Sequence, residues 1–208
     1  MSTTDIKLFS RRNEVTLRDG QVYKKTKDPQ AAALEASILR ELREKGVPVP
    51  AVLNCRGALL VMEYLPGEPL PDVIERGTYD PDALAQALCA WFAVFYAAMP
   101  PGALRGDVNG RNFLCCGEKI YGVDFEERCF GPRAQDAGRL AAFIETYKTR
   151  DSGRQAALAQ AFMQGFAEQF GCTAEEASAA REAELEAMRE RRGGTKREYL
   201  KSTERRIE

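Results

Sequence analysis

The tetrapeptide Pro66-Gly67-Glu68-Pro69 divides the chain into two parts of different character. Two prolines within four residues can continue neither an α-helix nor a central β-strand, so regular structure must break here. Short β-leaning runs and one helical run precede the break, and mostly helical runs follow it. We therefore expect an α+β chain with a sheet-rich lobe over residues 1–64 and a helix-rich lobe over residues 65–208.

The first lobe is expected to contain a small antiparallel sheet and one helix. The runs IKLFS, NEVTLRDG and QVYKKTK have the residue types of short strands, and an Arg-Asp-Gly-Gln turn joins the last two. Asp28-Pro29 predicts a helix start, Leu34, Ile38 and Leu42 are spaced four apart, and Gly46 predicts the helix end. The segments VPVPAVLN and ALLVMEYL are expected to be extended.

The second lobe is expected to be helical apart from one interruption. Between Leu104 and Phe125, a loop and two short strands, FLCC and KIYGVDF, surround a turn at Gly117. The most apolar segment has Gln86 as its one polar residue and lies at the lower limit of membrane-spanning length. Because it is rich in alanine and two prolines follow it, we expect a buried helix and no membrane span. Helices are predicted over residues 83–99, 133–149, 154–170 and 174–192.

The composition excludes several classes of site. The chain has no histidine, which rules out Ser-His-Asp and Cys-His catalysis and histidine ligands for zinc or haem. Thirty Lys and Arg residues against 31 Asp and Glu residues give a formal charge of −1, which favours neither nucleic acid nor an anionic membrane. The six cysteines form no CxxC pair, and the first residues lack the apolar core of a signal peptide. We expect a cytoplasmic protein with reduced cysteines.

Polar residues around the interruption form the strongest functional pattern. Asp107 precedes Asn112 by five positions in the loop 104–114, and Asp124 lies 17 positions beyond Asp107 in the segment 121–126. A loop followed by a hairpin would bring these three side chains together. Oxygen ligands without Cys or His suit Mg²⁺, so the pattern predicts a magnesium site. A carboxylate that does not bind the metal would be available to accept a hydroxyl proton.

A lysine and a glutamate upstream complete the candidate site. In QVYKK, strand alternation places Val22 and Lys24 on one face, and the helix that follows offers Glu35 on its apolar flank. A buried lysine requires a carboxylate partner, because an unpaired charge is costly to desolvate. A lysine held in this way would be able to grip phosphates. Lys25 is the alternative to Lys24, and Glu41 is the alternative to Glu35.

These segments resemble the protein-kinase-like fold, in particular its aminoglycoside phosphotransferase and choline-kinase-like branch. LEASILRELREKGVPVPAVL, LLVMEYLPGEPL, RGDVNGRNFL and YGVDFE are similar to that branch's helix, hinge, catalytic loop and metal motif, in the same order. The resemblance covers roughly residues 10–145. It implies a two-lobed fold with a small antiparallel sheet lobe, a helical lobe and an active site between them.

The resemblance also implies a role for each polar candidate. It implies that Lys24 binds the α- and β-phosphates of ATP and that Glu35 is its ion-pair partner. It implies that Asp107 is the catalytic base. It implies that Asn112 and Asp124 bind Mg²⁺.

The same resemblance implies the remaining contacts of the site. Val22 would contact the nucleotide, and the backbone near Glu63, Tyr64 and Leu65 would hold the adenine. Asp136 resembles the aspartate at a helix start that braces the catalytic loop. The implied cofactors are ATP and Mg²⁺.

The chain departs from the family pattern in its two phosphate-side loops. The catalytic loop of the family usually has His before Gly-Asp, and Arg105 stands there instead. That histidine orders backbone, so the departure puts the rigidity of the loop in question. The turn Ser10-Arg11-Arg12-Asn13 takes the place of a glycine-rich loop. Either Arg11 or Arg12 neutralises phosphate directly, or both are solvated.

The segment after the metal motif is short. Eleven residues separate Asp124 from Asp136, which leaves no room for a regulatory activation loop. This argues against a conventional protein kinase and predicts an open acceptor site. Glu126 stands where many kinases have Gly, and two interpretations remain for it, a contact to a second metal ion or a surface position.

The expected reaction is ATP- and Mg²⁺-dependent transfer of phosphate to a hydroxyl group of a small molecule. The alternatives are a minimal atypical serine/threonine protein kinase with a protein substrate, and a nucleotide-binding module without catalysis. Residues 189–208 contain eight Lys or Arg and four Glu. They are interpreted either as a solvated helix or as a phosphate-seeking arm. Minimal atypical kinases, including those of tRNA-modification complexes, also end in a basic segment, which supports the first alternative.

Overall fold

A five-stranded sheet and a set of helices make up the chain, as the computed structural model shows. It describes residues 5–8, 10 and 13–204, with side chains as far as Arg191. The sheet forms the first lobe and the helices form most of the second. The predicted α+β class is therefore confirmed. Arg11 and Arg12, the two candidates for direct phosphate contact, lie outside the described residues.

The sheet of the first lobe is antiparallel throughout, in the order β1-β2-β3-β5-β4. Asp19 and Gly20, both with positive φ, form the tight turn between β2 and β3 that the sequence predicts. Lys24 in β3 pairs with Val15 in β2 and with Leu60 in β5, so it lies in the middle of the sheet. The strands are β1 (Ile6–Leu8), β2 (Glu14–Arg18), β3 (Gln21–Lys25), β4 (Val52–Arg56) and β5 (Leu59–Glu63).

Helix α1 (Pro29–Glu44) lies between β3 and β4 in the chain and packs against β4 and β5. The side chain of Asp28 accepts a hydrogen bond from the Gln30 backbone N–H, which caps the helix as expected. Ile38 and Leu42 are buried as predicted, but Leu34 is 43% exposed. Glu35 is 1% exposed, so that a carboxylate enters the interior beside them.

Helices and two small sheets form the second lobe. The strands are β6 (Glu68–Pro69), β7 (Ala103–Leu104), β8 (Phe113–Cys116), β9 (Lys119–Gly122) and β10 (Cys129–Phe130). The helices are α2 (Leu70–Arg76), α3 (Pro81–Ala98), α4 (Ala134–Thr146), α5 (Ser152–Phe170) and α6 (Ala174–Glu204). Helix α3 packs against α5, and α4 packs against α5 and α6.

Aromatic rings from α3, β8 and α5 form the core of this lobe. The ring of Phe92 is fully buried, and the centroids of five neighbouring rings lie between 5.3 and 6.1 Å from it. In the part of the chain that the structure describes, α3 alone is long and apolar enough to cross a membrane. Its aromatic side chains pack inside the lobe, but Gln86, Ala90 and Val94 are exposed, so the helix is buried on one face and not throughout as predicted. The rings around Phe92 belong to Trp91, Tyr96, Phe113, Phe162 and Phe166.

The structure differs from the predicted elements around the proline-rich break. Glu68–Pro69 is not only a break, because it forms strand β6 and pairs with β8 of the second lobe. Helix α2 follows it directly and was not predicted, since seven residues are too few to show a helical period. Helix α6 continues through Gly193 and Gly194, beyond its predicted end. Good helix formers surround those glycines, and each glycine costs only about 1 kcal/mol in a helix.

Replacing Phe92 with alanine tests the core. Phe92→Ala should lower the free energy of unfolding by about 3–5 kcal/mol, because it removes a fully buried ring and leaves a cavity. Urea denaturation measures this as a lower midpoint with an unchanged slope. Val94→Ala is the control on the same helix, since Val94 is exposed. Equal effects of the two variants would contradict the assigned core.

Candidate active site

A buried lysine connects three carboxylates at the centre of the candidate site. The Lys24 Nζ donates to Glu35 Oε2 at 2.7 Å and to Glu126 Oε1 at 3.2 Å, and it also binds the Asp124 carboxylate. Lys24 is 5% exposed, whereas the alternative Lys25 is exposed. The structure therefore brings together Lys24 of β3, Glu35 of α1, and Asp124 and Glu126 from the segment after β9.

The alternative glutamate lies elsewhere. Glu41 accepts a hydrogen bond from Lys45 at 2.9 Å, one turn further along α1, and it also pairs with Arg128. Its pKa is lowered by these two partners, first by the hydrogen bond from Arg128. Because Glu41 is engaged at the helix surface, it is not the partner of the buried lysine.

The charges of the cluster depend on one another. Burial works to lower the pKa of Lys24, but Glu35 and Asp124 outweigh it, so this pKa lies above its usual value and the amine stays charged. Burial raises the pKa of Glu35, and the attraction of Lys24 opposes that rise. The second oxygen of Glu35, Oε1, is buried without a hydrogen-bond partner among the described residues. The lysine charge is thus what makes this buried carboxylate tolerable.

Glu126 belongs to the cluster and is not a detached surface residue. Carboxylate oxygens of Glu35, Asp124 and Glu126 lie within 4.8 Å of one another. Glu126 also accepts a hydrogen bond from the Asn13 side-chain amide at 2.9 Å. The backbone N–H of Asn13 donates to the Ser10 hydroxyl at 3.1 Å. The turn that replaces a glycine-rich loop therefore reaches the metal motif through an amide side chain.

The loop that carries Asp107 is tied to the metal motif by its asparagine. The Asn112 side-chain amide donates to the Asp107 carbonyl at 3.1 Å, and the Asn112 carbonyl accepts from the Val123 N–H at 2.9 Å. Asn112 is buried, whereas Asp107 is exposed. Among the described residues, the Asp107 carboxylate accepts a local bond from the Asn109 N–H at 3.2 Å. The geometry leaves the Asp107 carboxylate accessible to an incoming hydroxyl group.

Two side chains, of Asp136 and Tyr147, order the catalytic loop from behind. Asp136, fully buried at the start of α4, accepts from the backbone N–H groups of Arg105 at 2.6 Å and Gly106 at 3.1 Å. It also accepts from the Tyr96 hydroxyl at 2.8 Å. The Tyr147 hydroxyl accepts from the Gly110 N–H at 2.7 Å. Asp136 takes the bracing position expected for it, whereas no sequence signal singled out Tyr147.

The predicted hinge is only partly available to a nucleotide. The backbone N–H of Glu63 donates to the Ala51 carbonyl at 2.9 Å, so this donor is already used by the fold. The Glu63 carboxylate accepts from Arg43 at 2.9 Å. Tyr64 is 39% exposed and Leu65 is buried. Val22, paired with Met62, is half-buried and packs against the core next to Lys24 in β3.

The donor set fits a hard divalent cation. Asp124 and Glu126 present half-buried carboxylates, and the side chain of Asn112 comes from the adjoining loop. Oxygen donors of this kind are the ligands that Mg²⁺ prefers. Glu35 is the least suitable carboxylate of the three, because its side chain is 1% exposed whereas those of Asp124 and Glu126 are half-buried. The residues that would hold the metal ion are therefore Asp124 and Asn112, with Glu126 beside them.

A family model for the RIO domain matches residues 3–129, well over half of the chain. The chain belongs to the RIO-domain family. Within the protein-kinase-like superfamily, this branch is better supported for the RIO-domain chain than the aminoglycoside phosphotransferase branch expected from the motifs. Both the family and the fold are those of kinase-type phosphotransferases.

Three curated relatives are similar to the RIO-domain chain. The EKC/KEOPS complex subunit BUD32 of Encephalitozoon cuniculi is 35% identical over 44% of either chain. A probable serine/threonine-protein kinase BUD32 homolog of Archaeoglobus fulgidus is 27% identical over 64% of either chain. A probable bifunctional tRNA threonylcarbamoyladenosine biosynthesis protein of Methanosarcina mazei is 25% identical over 65% of this chain and 23% of its own. The chain thus spans less than two-thirds of the length of each relative.

Solved structures of kinases share the fold. The ADP-bound aminoglycoside phosphotransferase APH(2'')-Ib superposes with a TM-score of 0.61 at 12% identity, covering 87% of this chain and 81% of its own. A choline/ethanolamine kinase family protein of Mesorhizobium loti superposes with a TM-score of 0.53 at 18% identity, covering 78% and 70%. The expected protein-kinase-like, two-lobed fold is confirmed.

Replacing Asp136 with asparagine tests the brace behind the catalytic loop. An amide group would face donors that now share two carboxylate oxygens, so at least one buried donor would lose its acceptor. We expect Asp136→Asn to lower the free energy of unfolding by about 1–3 kcal/mol and to speed amide exchange at Arg105 and Gly106. Asp28→Asn is the control, because Asn caps a helix as well as Asp does. Unchanged exchange at Arg105 and Gly106 would contradict the bracing role.

Proposed function

We propose that this RIO-domain chain is an ATP- and Mg²⁺-dependent phosphotransferase of the atypical serine/threonine protein kinase type. The observation that carries the proposal is the convergence of Lys24, Glu35 and Asp124 next to a loop that presents Asp107. No single one of these residues is diagnostic. A buried lysine, its glutamate and an aspartate from three separate elements form the pattern that phosphoryl transfer from ATP requires.

Each residue has a distinct task in the proposed reaction. Lys24 neutralises the charge of the nucleotide phosphates, and Glu35 keeps the amine of Lys24 in position. Asp124 and Asn112 hold Mg²⁺, which supplies neutralisation of phosphate charge when bound. Asp107 orients the acceptor hydroxyl group and accepts its proton, a contribution of about 10²–10⁴ in rate.

A protein acceptor fits the comparisons better than a small molecule does. The curated relatives bear the names of a serine/threonine-protein kinase, a subunit of a protein complex and a tRNA threonylcarbamoyladenosine biosynthesis protein. The aminoglycoside and choline kinases resemble this chain at 12–18% identity, which supports a common fold and not a common acceptor. We therefore propose a serine or threonine hydroxyl as the acceptor and a protein partner that acts in tRNA modification.

Nucleotide binding should depend on Lys24 and not on its neighbour. Mg-ATP at 100 times its Kd adds about 2.7 kcal/mol to the stability of the native state, which for a chain of this size raises Tm by about 5–10 °C. We expect this shift in the wild type and in Lys25→Met, and its loss in Lys24→Met, because only Lys24 lies in the carboxylate cluster. Thermal melting with and without Mg-ATP measures it.

The adjacent lysines make a matched pair for this test. Both variants remove one positive charge from β3, so any effect of net charge is the same. A wild-type protein whose Tm does not respond to millimolar Mg-ATP would contradict the proposed function. Equal shifts in the two lysine variants would contradict the role of Lys24.

Asp107→Asn should lose phosphate transfer but keep nucleotide binding. Asparagine keeps the shape of the side chain but cannot accept the hydroxyl proton, so we expect transfer from γ-labelled ATP to fall by about 10²–10⁴. The Mg-ATP melting shift should persist. Asp80→Asn is the control, since Asp80 caps α3 and Asn is an equally good cap. Labelling of the chain itself and of candidate protein partners measures the transfer.

The choice of acceptor follows from where the label goes. Label on protein that Asp107→Asn abolishes supports the protein kinase proposal. Label found on a metabolite pool and absent from protein would contradict it. Full transfer by Asp107→Asn would contradict the assignment of the base.

A further inference from the structure

The side chain of Arg105 joins the catalytic loop to the metal motif from behind. Its Nη2 donates to the Val123 carbonyl at 2.6 Å and to the Asp124 carbonyl at 3.1 Å. The guanidinium carbon lies 4.1 Å from the centre of the Phe125 ring, which is itself buried. Arg105 is 3% exposed. One side chain therefore contacts three consecutive residues of the metal motif.

The backbone that Arg105 holds is strained. Asp124 has a φ of +65°, in the left-handed region, where a residue with a Cβ costs roughly 1–2 kcal/mol. Such a conformation persists when surrounding contacts overdetermine it. The Val123 N–H is fixed by Asn112, and the Val123 and Asp124 carbonyls are fixed by Arg105. Arg105 thus supplies the donors on the carbonyl side of this turn.

The position of Arg105 is itself fixed, so it can act as a rigid support. Its backbone N–H is held by Asp136, which is fully buried. Its planar guanidinium is held against the Phe125 ring by stacking, an arrangement that lysine cannot reproduce. The Arg105 Nε has no hydrogen-bond partner among the described residues. The hydrogen bonds to the two carbonyls and the contact with the ring stabilise the buried guanidinium. They must therefore offset the cost of its unpaired Nε–H group.

Carboxylates around the guanidinium help to keep its charge buried. Burial lowers the pKa of Arg105, and Asp107, Asp124, Asp136 and Glu35 oppose that effect in this order. The arginine is therefore placed inside the acidic site without forming a side-chain ion pair that would occupy Asp107 or Asp124. Arg105 therefore does not compete with Lys24 for the Asp124 carboxylate.

We propose that Arg105 is a positioning residue that holds Asp124 in its metal-binding conformation by gripping the carbonyls of Val123 and Asp124. It acts through Asp124 and does not itself touch nucleotide or metal. This inference rests on the proposed function, in which Asp124 holds Mg²⁺. The site then has an arginine in the place where the resemblance led us to expect a histidine, and that arginine orders the metal motif.

Arg105→Met removes the grip and keeps an apolar chain against Phe125. In the protein without nucleotide, we expect faster amide exchange at Val123, measured by mass spectrometry on peptides that cover residues 119–128. By calorimetric titration, we expect the gain in ATP affinity that Mg²⁺ provides to fall about tenfold or more. Affinity for ATP in excess EDTA should be retained, because Lys24 does not contact Arg105.

A second arginine provides a matched control. Arg154 lies in the first turn of α5. It also donates to a backbone carbonyl, that of Tyr79, and its guanidinium carbon lies 6.0 Å from the centre of the Tyr79 ring. Arg154→Met removes the same charge and a comparable carbonyl contact, although Arg154 is partly exposed and also pairs with Asp151. Both readouts should match the wild type in this variant. If Arg105 has only a structural role, Arg105→Met should lower the affinity for ATP by the same factor with and without Mg²⁺. That result would overturn the proposal.

The outcomes separate this inference from the proposed function. A wild-type protein that binds no nucleotide contradicts the proposed function. A wild-type protein that binds Mg-ATP, together with unchanged Val123 exchange and an unchanged Mg²⁺ effect in Arg105→Met, overturns the role of Arg105. If Arg105→Met does not fold, Arg105→Lys replaces it, because Lys keeps the charge but loses the planar grip. An Arg105→Lys variant with the wild-type Mg²⁺ effect would then overturn the proposal.

Discussion

The buried charge of Lys24 is the constraint on which the site depends. An ammonium group in the middle of a sheet must have carboxylate partners, and breaking such a buried pair costs about 3–5 kcal/mol. Glu35 can be that partner only if α1 turns its Glu35 side inward and leaves Leu34 in solvent, which is what the structure shows. Asp124 then comes from the second lobe to the same amine. One cation therefore sets the rotation of a helix and the approach of the two lobes.

Behind this cluster, two buried side chains of opposite charge, Asp136 and Arg105, bind the backbone of the catalytic loop and of the metal motif. Asp136 binds the N–H groups of Arg105 and Gly106, and the Arg105 guanidinium binds the carbonyls of Val123 and Asp124. The backbone N–H donors of the catalytic loop are bound by a carboxylate, and the backbone carbonyl acceptors of the metal motif are bound by a guanidinium group. Since buried backbone groups without partners are costly, this pairing fixes both loops at once. The catalytic loop and the metal motif are thus held by Asp136 and by an arginine at the position where the resemblance implied a histidine.

The sequence predicted the parts of this site that follow from residue type and local pattern. Strand alternation placed Lys24 and Lys25 on opposite faces of β3, the short hairpin after Asn112 placed Asp124, and Asp28-Pro29 located the start of α1. The sequence did not predict as well which side chains of α1 point into the interior. Spacing alone favoured Leu34 for the buried face, because only the tertiary partner Lys24 makes burial of Glu35 favourable. Glu126 and Tyr147 act through residues more than thirty positions away, and no local pattern reveals such contacts.

The sequence motifs also did not predict the correct branch of the superfamily, and there is a physical reason for this. The residues quoted for the resemblance bind phosphate and metal, and that chemistry is the same whatever the acceptor is. What distinguishes the branches lies in the surfaces that meet the acceptor. Here the segment after the metal motif is held at both ends, by buried Phe125 and by pairing of β10 with β7. The Arg128–Glu41 contact to α1 is partly exposed and adds little. Burial and strand pairing thus hold this short segment in place without a longer regulatory loop.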